Sequence, residues 1–228
     1  MINDINQLNN LTNKNMTKKI IYSFALLLFS FQFISAQNDP KAEQILTGIL
    51  SSAKTNAIRT NFRLASNDKS NPQGITSSGT LTLKGTKFVL EMNEMKAWFD
   101  GKTQWAYVAQ NNEVSITEPN EKELSETNPM AILSGFKTKC LIRFSSKVKS
   151  AQNHCIEMIP KAKTKDIVKI DVQINKSNGN LFSIKLTNKN GSTSILTLSN
   201  FQKGFNVADN FFVFNKAKYK GVSVNDLR

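Results

Sequence analysis

Apolar residues recur every three or four positions between residues 40 and 57. These residues are Ala42, Ile45, Leu46, Ile49, Leu50, Ala53 and Ala57. This spacing predicts one amphipathic helix with a single apolar face. Asp39 stands where an N-cap is expected, and Pro40 occupies the first helical position.

After this helix the hydrophobic period changes to two, which predicts β-strands. The predicted strands are 61–64, 80–84, 87–92, 95–99, 103–109, 113–117, 140–145, 154–159, 168–174, 181–187 and 194–201. Asp100-Gly101, Asn178-Gly179 and Asn190-Gly191 are dipeptides typical of tight hairpin turns. Because no helices alternate with these strands, the pattern predicts antiparallel pairing.

A second, shorter helix interrupts the strands. Asn128 is suited to cap it, Pro129 to begin its first turn and Gly135 to terminate it. An antiparallel sheet of about ten strands must curl or split into layers. A curled sheet leaves an apolar cavity beneath a helical lid, whereas a sandwich has a solid core. The alternating apolar residues fit both arrangements.

The N-terminal segment has the pattern of a secretory signal peptide. Lys18 and Lys19 precede an apolar run, Ile20–Ile34, and small residues lead up to Ala36. The run is shorter than the ~20 residues that a membrane span requires. We expect residues 1–36 to be a cleaved leader, of which 1–15 are a start-site extension, and residues 37–228 to be one exported domain. Because Gln37 rather than a cysteine stands directly after the expected cleavage site, no lipid anchor is expected.

The composition excludes several classes of site. Hydrophobic residues make up 39% of the chain, and there are one histidine and two cysteines. A three-histidine metal site is therefore excluded, and a serine triad would have to use His154. Hydrolase, metalloprotease and phosphate-loop motifs are lacking. We expect neither catalytic residues, nor a metal, nor a cofactor, and predict that the protein is not an enzyme.

The chain is strongly basic, with 30 Lys+Arg against 17 Asp+Glu. The segment 137–169 concentrates this charge in nine residues. They are Lys137, Lys139, Arg143, Lys147, Lys149, Lys161, Lys163, Lys165 and Lys169. They form either a solvated sheet face or a patch that docks a partner protein or anionic lipid. Nucleic acid is not expected as a partner, because it does not fit the export signal.

Cys140 and Cys155 lie on neighbouring predicted strands of an exported protein, where disulfides persist. A simple hairpin places Cys155 opposite a residue near 146 rather than opposite Cys140. A disulfide therefore requires a different register or a bulge. The sequence leaves open whether the two form a disulfide or remain separate thiols.

Four segments of the chain resemble one known family. Trp98–Tyr107 resembles the DGKTLW-Y hairpin of the LolA outer-membrane lipoprotein carriers, and Asn128–Leu133 resembles their lid helix. Phe211–Phe214 and Tyr219–Arg228 resemble the family's C-terminal ending. The resemblance extends over residues 40–228, and the order of the motifs also agrees.

The resemblance implies a mainly β fold, in which a curved, unclosed antiparallel barrel of ten to eleven strands is covered by short α-helices. It also implies a monomer that shields lipoprotein acyl chains in an apolar cavity. Such a carrier is located in the periplasm, where it receives its cargo from an inner-membrane ABC transporter and takes it to an outer-membrane acceptor. An envelope sensor on the same scaffold and an exported hydrolase are the alternatives.

The expected ligand site consists of alternating apolar strand residues and the apolar faces of the helices. The cavity residues are Phe62, Leu64, Leu81, Leu83, Phe88, Leu90, Trp98, Trp105, Tyr107, Ile116, Ile142, Phe144 and Met158. The lid residues are Ile45, Leu46, Ile49, Leu50, Met130, Ile132 and Leu133.

The chain departs from the family at one position. Well-known members have an arginine just before the strand that begins here at Phe88, and that arginine latches the lid. This chain has no arginine there, so Lys84 or Lys87 is the candidate substitute. Lysine lacks the planar fork of the guanidinium group, so the latch cannot be carried over unchanged.

Overall fold

The residues described by the computed structural model are 37–120, 123–124, 128–162 and 166–228. The predicted leader lies outside these residues, as do Lys163 and Lys165 of the basic segment. Asn38–Arg228 form one compact unit.

Two helices lie wholly within the described residues, and both begin at the caps that the sequence predicts. Helix α1 is Pro40–Thr55, and its N-cap Asp39 accepts hydrogen bonds from the backbone N–H groups of Lys41 and Ala42. Helix α2 is Pro129–Lys137, and Asn128 caps it in the same way.

Gly135 does not end α2, so that expectation is wrong. The helix continues to Lys137, and Phe136 packs against the apolar core. Burial of this aromatic side chain outweighs the low helix propensity of one glycine.

Twelve strands are seen in the described part of the chain, and they form a single sheet. They are β1 Ile58–Asn67, β2 Ile75–Lys84, β3 Lys87–Glu91, β4 Met95–Phe99, β5 Gln104–Val108, β6 Glu113–Thr117, β7 Cys140–Phe144, β8 Asn153–Pro160, β9 Ile167–Asn175, β10 Leu181–Asn188, β11 Thr193–Lys203 and β12 Ser223–Asp226.

The sheet is unclosed and mostly antiparallel, as predicted. Its order is β12-β6-β5-β4-β3-β2-β1-β11-β10-β9-β8-β7, so β12 and β7 are the edges. The sheet has one strand more than the upper end of the predicted ten to eleven, and the additional strand is β12, which pairs in parallel with β6. All four residues of β12 are exposed. The strand contains a single apolar residue, Val224, so no apolar alternation marks it in the sequence.

The sheet has two faces, and each is covered by a different part of the chain. On one side, which we call the helix face, α1 and α2 pack on a large apolar cluster. Its buried strand residues include Phe62, Leu81, Leu83, Phe88, Leu90, Phe99, Ile142, Ile156, Met158, Ile170, Val172, Ile184 and Leu198.

The other side, which we call the strap face, is crossed by the C-terminal segment 204–222, the strap. Phe212 of the strap is fully buried against Val89 and Trp98. Two short 3-10 turns, Asp209–Phe212 and Lys216–Lys218, shape the strap before it enters β12. The apolar core is thus divided by the sheet into two parts.

Candidate functional site: an apolar cleft under the helices

All the residues expected in the lid lie between the helices and the helix face. Leu46 of α1 and Ile132 and Leu133 of α2 are buried in the helix-face cluster. Ile45, Ile49, Leu50 and Met130 are half-buried and pack against the same cluster. The helices therefore cover the sheet with apolar side chains.

Most of the residues expected in the cavity lie on the same face. Phe62, Leu64, Leu81, Leu83, Phe88, Leu90, Ile142, Phe144 and Met158 all belong to the helix-face cluster or pack against it. Cross-strand pairs place them on one side of the sheet; for example, Leu83 pairs with Phe88 and Ile142 pairs with Met158.

The other four expected cavity residues lie elsewhere, and that part of the expectation is corrected. Trp98 pairs with Trp105 across β4 and β5, and both pack in the strap-face cluster with Tyr107. Ile116 is the cross-strand partner of Trp105 and so shares its face. Strand β4 has buried residues on both faces, Ala97 and Phe99 on one and Trp98 on the other. Alternation alone therefore could not tell the two faces apart.

A cleft opens between α1, α2 and the sheet, with about 380 Å³ of empty space that is partly open to solvent. Its apolar lining comes from Ile49, Ile58, Leu83, Met130, Leu181, Leu198 and Phe201. Its other lining residues are Ser52, Thr60, Gly179, Asn180 and Lys203. The enclosed part has room for only a few water molecules, so an acyl chain enters only if the helices move.

Several lining residues were not expected from the sequence. Ile58 begins β1 two residues before the buried Thr60, and the register of β1 against β11 shifts between Arg59 and Asn61. Asn180 and Leu181 follow a turn that the sequence did predict. The turn gives the positions of these residues in the chain, but not their proximity to α1.

Few polar contacts join α1 to the sheet in the described residues. At its start, the Asp39 N–H donates to the carbonyl of Ile142 at 2.8 Å, and the Ile142 N–H donates to Asn38 Oδ1 at 3.0 Å. Near its end, the Gly85 N–H donates to the carbonyl of Ala53 at 3.0 Å. Between these two ends, apolar packing holds the helix.

The two helices are also joined to each other by one long ion pair. Lys137 Nζ of α2 lies 4.0 Å from Glu43 Oε1 of α1. Both side chains are partly exposed, so solvent screens the pair and its contribution is small.

The two lysines considered for the lid latch bind the strap instead. Lys84 Nζ donates to the carbonyl of Val207 at 2.9 Å, and Lys87 Nζ lies 3.0 Å from Asp209 Oδ2. The hydrogen bond from Lys87 is the main cause that lowers the pKa of Asp209. Strand alternation explains this, because Lys84 and Lys87 are cross-strand partners on the face opposite the helices.

The two cysteines are free thiols, and both are buried. Cys140 lies on the helix face beside Ile142, whereas Cys155 precedes the helix-face residue Ile156 and points to the strap face. Because the side chains lie on opposite sides of the sheet, a disulfide cannot form in this register. Burial raises the pKa of both thiols, which makes them less reactive.

Part of the basic segment is neutralised within the protein. Arg143 Nε binds Glu157 Oε1 at 2.6 Å, and Lys169 Nζ binds Asp171 Oδ2 at 2.9 Å. These pairs lie on the strap face of β7 to β9.

The comparisons with known proteins agree with this architecture. A family model described as outer membrane lipoprotein carrier protein LolA matches residues 36–192, which is more than half of the chain. The chain belongs to this family. No curated protein sequence matches the chain.

One solved structure shares the fold of this LolA-family chain, and others resemble it with lower scores. A crystal structure of an uncharacterized conserved protein from Thermus thermophilus superposes with a TM-score of 0.54 at 11% identity, covering 82% of this chain and 99% of that one. A LolA superfamily protein from Nitrosomonas europaea has a TM-score of 0.40 at 11% identity, with 76% and 97% coverage. The Pseudomonas aeruginosa MucA/MucB complex gives 0.42 at 11% identity, with 77% and 62% coverage.

None of the helices in the described ranges is both long enough and apolar enough to cross a membrane.

Proposed function

We propose that this protein is a non-enzymatic periplasmic carrier that binds lipoprotein acyl chains between its helices and the helix face. In this role it receives cargo from an inner-membrane ABC transporter and delivers it to the outer membrane. The observation that carries the proposal is the cleft under α1 and α2, whose lining is largely apolar. Membership of the LolA family supports the same role.

The physical requirement for such a carrier follows from the cost of exposing hydrocarbon to water. The free energy of an acyl chain falls by about 0.8 kcal/mol for each CH₂ group that leaves water. A continuous apolar surface beneath a cover supplies that gain. The cover must also open, because a carrier that bound its cargo irreversibly would never deliver it.

The attachment of α1 fits this requirement. Its contacts with the sheet are apolar along its length, with a few backbone hydrogen bonds at its two ends. Apolar contacts with the sheet are exchangeable for apolar contacts with an acyl chain, since neither is directional. Insertion of a chain therefore replaces one apolar partner of α1 with another.

The test is binding of a fluorescently labelled diacylated lipopeptide to the purified protein. We expect saturable binding at about one lipopeptide per chain. Replacing a cleft residue by glutamate, as in Met130→Glu, should weaken binding by at least about tenfold, because a carboxylate would be buried against hydrocarbon. The matched control is Ile75→Glu, at a position that is 67% exposed on β2.

Three outcomes would contradict the proposal. They are a protein that binds no lipopeptide, equal binding by the two variants and the wild type, and weakened binding in Ile75→Glu alone. Circular dichroism of both variants separates loss of binding from loss of fold.

A further inference from the structure

Exposed apolar side chains are concentrated near the C-terminal end of the described chain. Eight large apolar side chains are exposed in the part of the chain that the structure describes, and four of them fall within residues 211–227. These four are Phe211, Val213, Val224 and Leu227. Exposed apolar residues that occur close together are typical of a surface that contacts a membrane or another protein.

The strap has two sides that differ in their surroundings. Its inward residues are Phe212, Phe214 and Tyr219, which all pack in the strap-face cluster. Phe211 and Val213 alternate with the first two and are 40% and 38% exposed. The strap therefore buries one set of apolar side chains against the sheet and leaves a second set in contact with solvent.

Three exposed lysines follow these apolar residues. Lys216, Lys218 and Lys220 make no ion pair with any residue that the structure describes. Asp209 is the one acidic residue in the sequence of the strap, and it is already paired with two lysines of β2 and β3. The outward side of the strap is therefore positively charged, and no acidic residue of the strap neutralises it.

The backbone that bears these lysines is held in place. The Tyr219 N–H donates to the Lys216 carbonyl at 3.0 Å, and Asn112 Nδ2 donates to the Lys220 carbonyl at 3.2 Å. The ring of Tyr219 also lies 4.5 Å from the ring of Tyr107, measured between centroids. The strap therefore presents its outward side without having to fold on a partner.

This combination of side chains fits an anionic lipid bilayer better than a protein. Lysine places its ammonium group among lipid phosphates while its methylene stem lies along apolar surface. Exposed phenylalanine and valine enter the boundary between headgroups and acyl chains. Protein–protein interfaces, by contrast, are depleted of lysine and enriched in arginine, and lysine is the only basic residue type in the strap.

We propose that the outward side of the strap docks the protein on an anionic phospholipid bilayer. Phe211 and Val213 enter the headgroup boundary, and the three lysines contact lipid phosphates. This proposal goes beyond the carrier function, because docking requires no cargo in the cleft. The strap and the helices lie on opposite faces of the sheet, so docking leaves α1 and α2 free to open.

The test is cosedimentation of residues 37–228 with phospholipid vesicles. Residues 38–228 form one compact unit, and the apolar N-terminal run is left out because it would bind vesicles by itself. Anionic vesicles contain equal parts of phosphatidylglycerol and phosphatidylcholine, and neutral vesicles contain phosphatidylcholine alone. We expect binding to the anionic vesicles only, and we expect it to weaken as salt screens the charges. Binding to neither type, or to both types equally, would overturn the proposal.

The lysines are tested together in the variant Lys216→Gln/Lys218→Gln/Lys220→Gln. It should bind the anionic vesicles about a hundredfold more weakly, since each lysine near such a surface contributes about fivefold to the affinity. Binding equal to that of the wild type would contradict the proposal.

The matched control removes three exposed lysines from the basic segment, in the variant Lys139→Gln/Lys147→Gln/Lys149→Gln. The change in net charge is the same, but these residues are not on the strap. The control should bind within about twofold of the wild type, because charge attraction falls off within a Debye length of the bilayer. Equal weakening in both triple variants would show that total charge, rather than the strap, governs binding, and the proposal would fail.

The apolar contact is tested with a pair of phenylalanines. Phe211→Ala should weaken binding to the anionic vesicles about tenfold, because the ring no longer enters the bilayer boundary. Phe182→Ala makes the same change on β10, at a side chain that is 41% exposed, and should bind like the wild type. Equal binding by the two variants would contradict the assigned contact. Circular dichroism confirms that both variants are folded.

Lipopeptide binding distinguishes this proposal from the carrier function. The strap variants should bind the diacylated lipopeptide as tightly as the wild type, since the strap and the cleft lie on opposite faces of the sheet. If the protein binds anionic vesicles but no lipopeptide, docking stands and the carrier function fails. If it binds lipopeptide but no vesicles, docking fails and the carrier function stands.

Discussion

At the scale of single residues, the strap depends on one aromatic side chain. Phe212 is fully buried against Val89 and Trp98, whereas its neighbour Phe211 remains 40% exposed. The two rings contact each other at a centroid distance of 5.4 Å, so they share one local environment. Burial is the main difference between them.

We predict that Phe212→Ala lowers the free energy of unfolding by about 3–5 kcal/mol, because it leaves a cavity under the strap. Phe211→Ala, with the same chemistry one position earlier, should cost less than about 1 kcal/mol. Urea unfolding followed by circular dichroism measures both changes. Equal costs for the two variants would mean that the strap does not pack as described.

Residue-scale prediction from the sequence succeeded where a strand is buried on one side and failed where it is buried on both. On β9, the buried residues Ile170, Val172 and Ile174 alternate with partly exposed polar residues, so the sequence shows which residues face the core. Ala97, Trp98 and Phe99 are buried consecutively on β4, so the sequence gives no sign of which side each residue faces.

At the scale of elements, α1 combines strong local signals with weak attachment. The cap at Asp39, the proline at Pro40 and the helical spacing are all visible in the sequence, and the helix forms as predicted. Its attachment to β7 through Asn38 and Asp39 joins positions about a hundred residues apart, so no local pattern reveals it.

We predict that Asp39→Ala makes α1 open more often. The side chain accepts two backbone N–H groups of the first turn, and its loss costs about 1 kcal/mol of helix stability. Hydrogen exchange should therefore become about fivefold faster in residues 42–50 and remain unchanged in β3.

Asn128→Ala, which removes the cap of α2, is the control. It should accelerate hydrogen exchange in α2. Uniform acceleration throughout the sheet would show that Asp39 stabilises the whole fold rather than the helix alone.

The strap and β12 are the elements that sequence patterns predicted least. The positions of these two elements depend on contacts with strands more than a hundred residues earlier in the chain, such as Lys84 with Val207 and Val114 with Val224. A short exposed strand also lacks the alternation that marks the others. Only the resemblance of the C-terminal residues to a family ending singled out this region.

At the scale of the whole molecule, one sheet separates two covers with different attachments. The helices cover one face mainly through apolar packing, with a few backbone hydrogen bonds at the ends of α1. The strap covers the other face with a buried phenylalanine, two lysine contacts and a strand pairing. This asymmetry suits the proposed function, since one cover can open while the other keeps the sheet intact.

The asymmetry also gives the protein a natural optical reporter. Both of its tryptophans, Trp98 and Trp105, pack on the strap side, away from the cleft. Their fluorescence should therefore stay constant in wavelength and intensity while an acyl ligand fills the cleft, and shift to the red when the strap detaches, as in Phe212→Ala. A titration with N-palmitoylglycine, recorded at the tryptophan emission maximum, checks the first expectation. A ligand-dependent shift of the emission would mean that ligand binding in the cleft changes the surroundings of the tryptophans on the opposite face of the sheet. A constant signal would let strap integrity be monitored during loading and release without any added label.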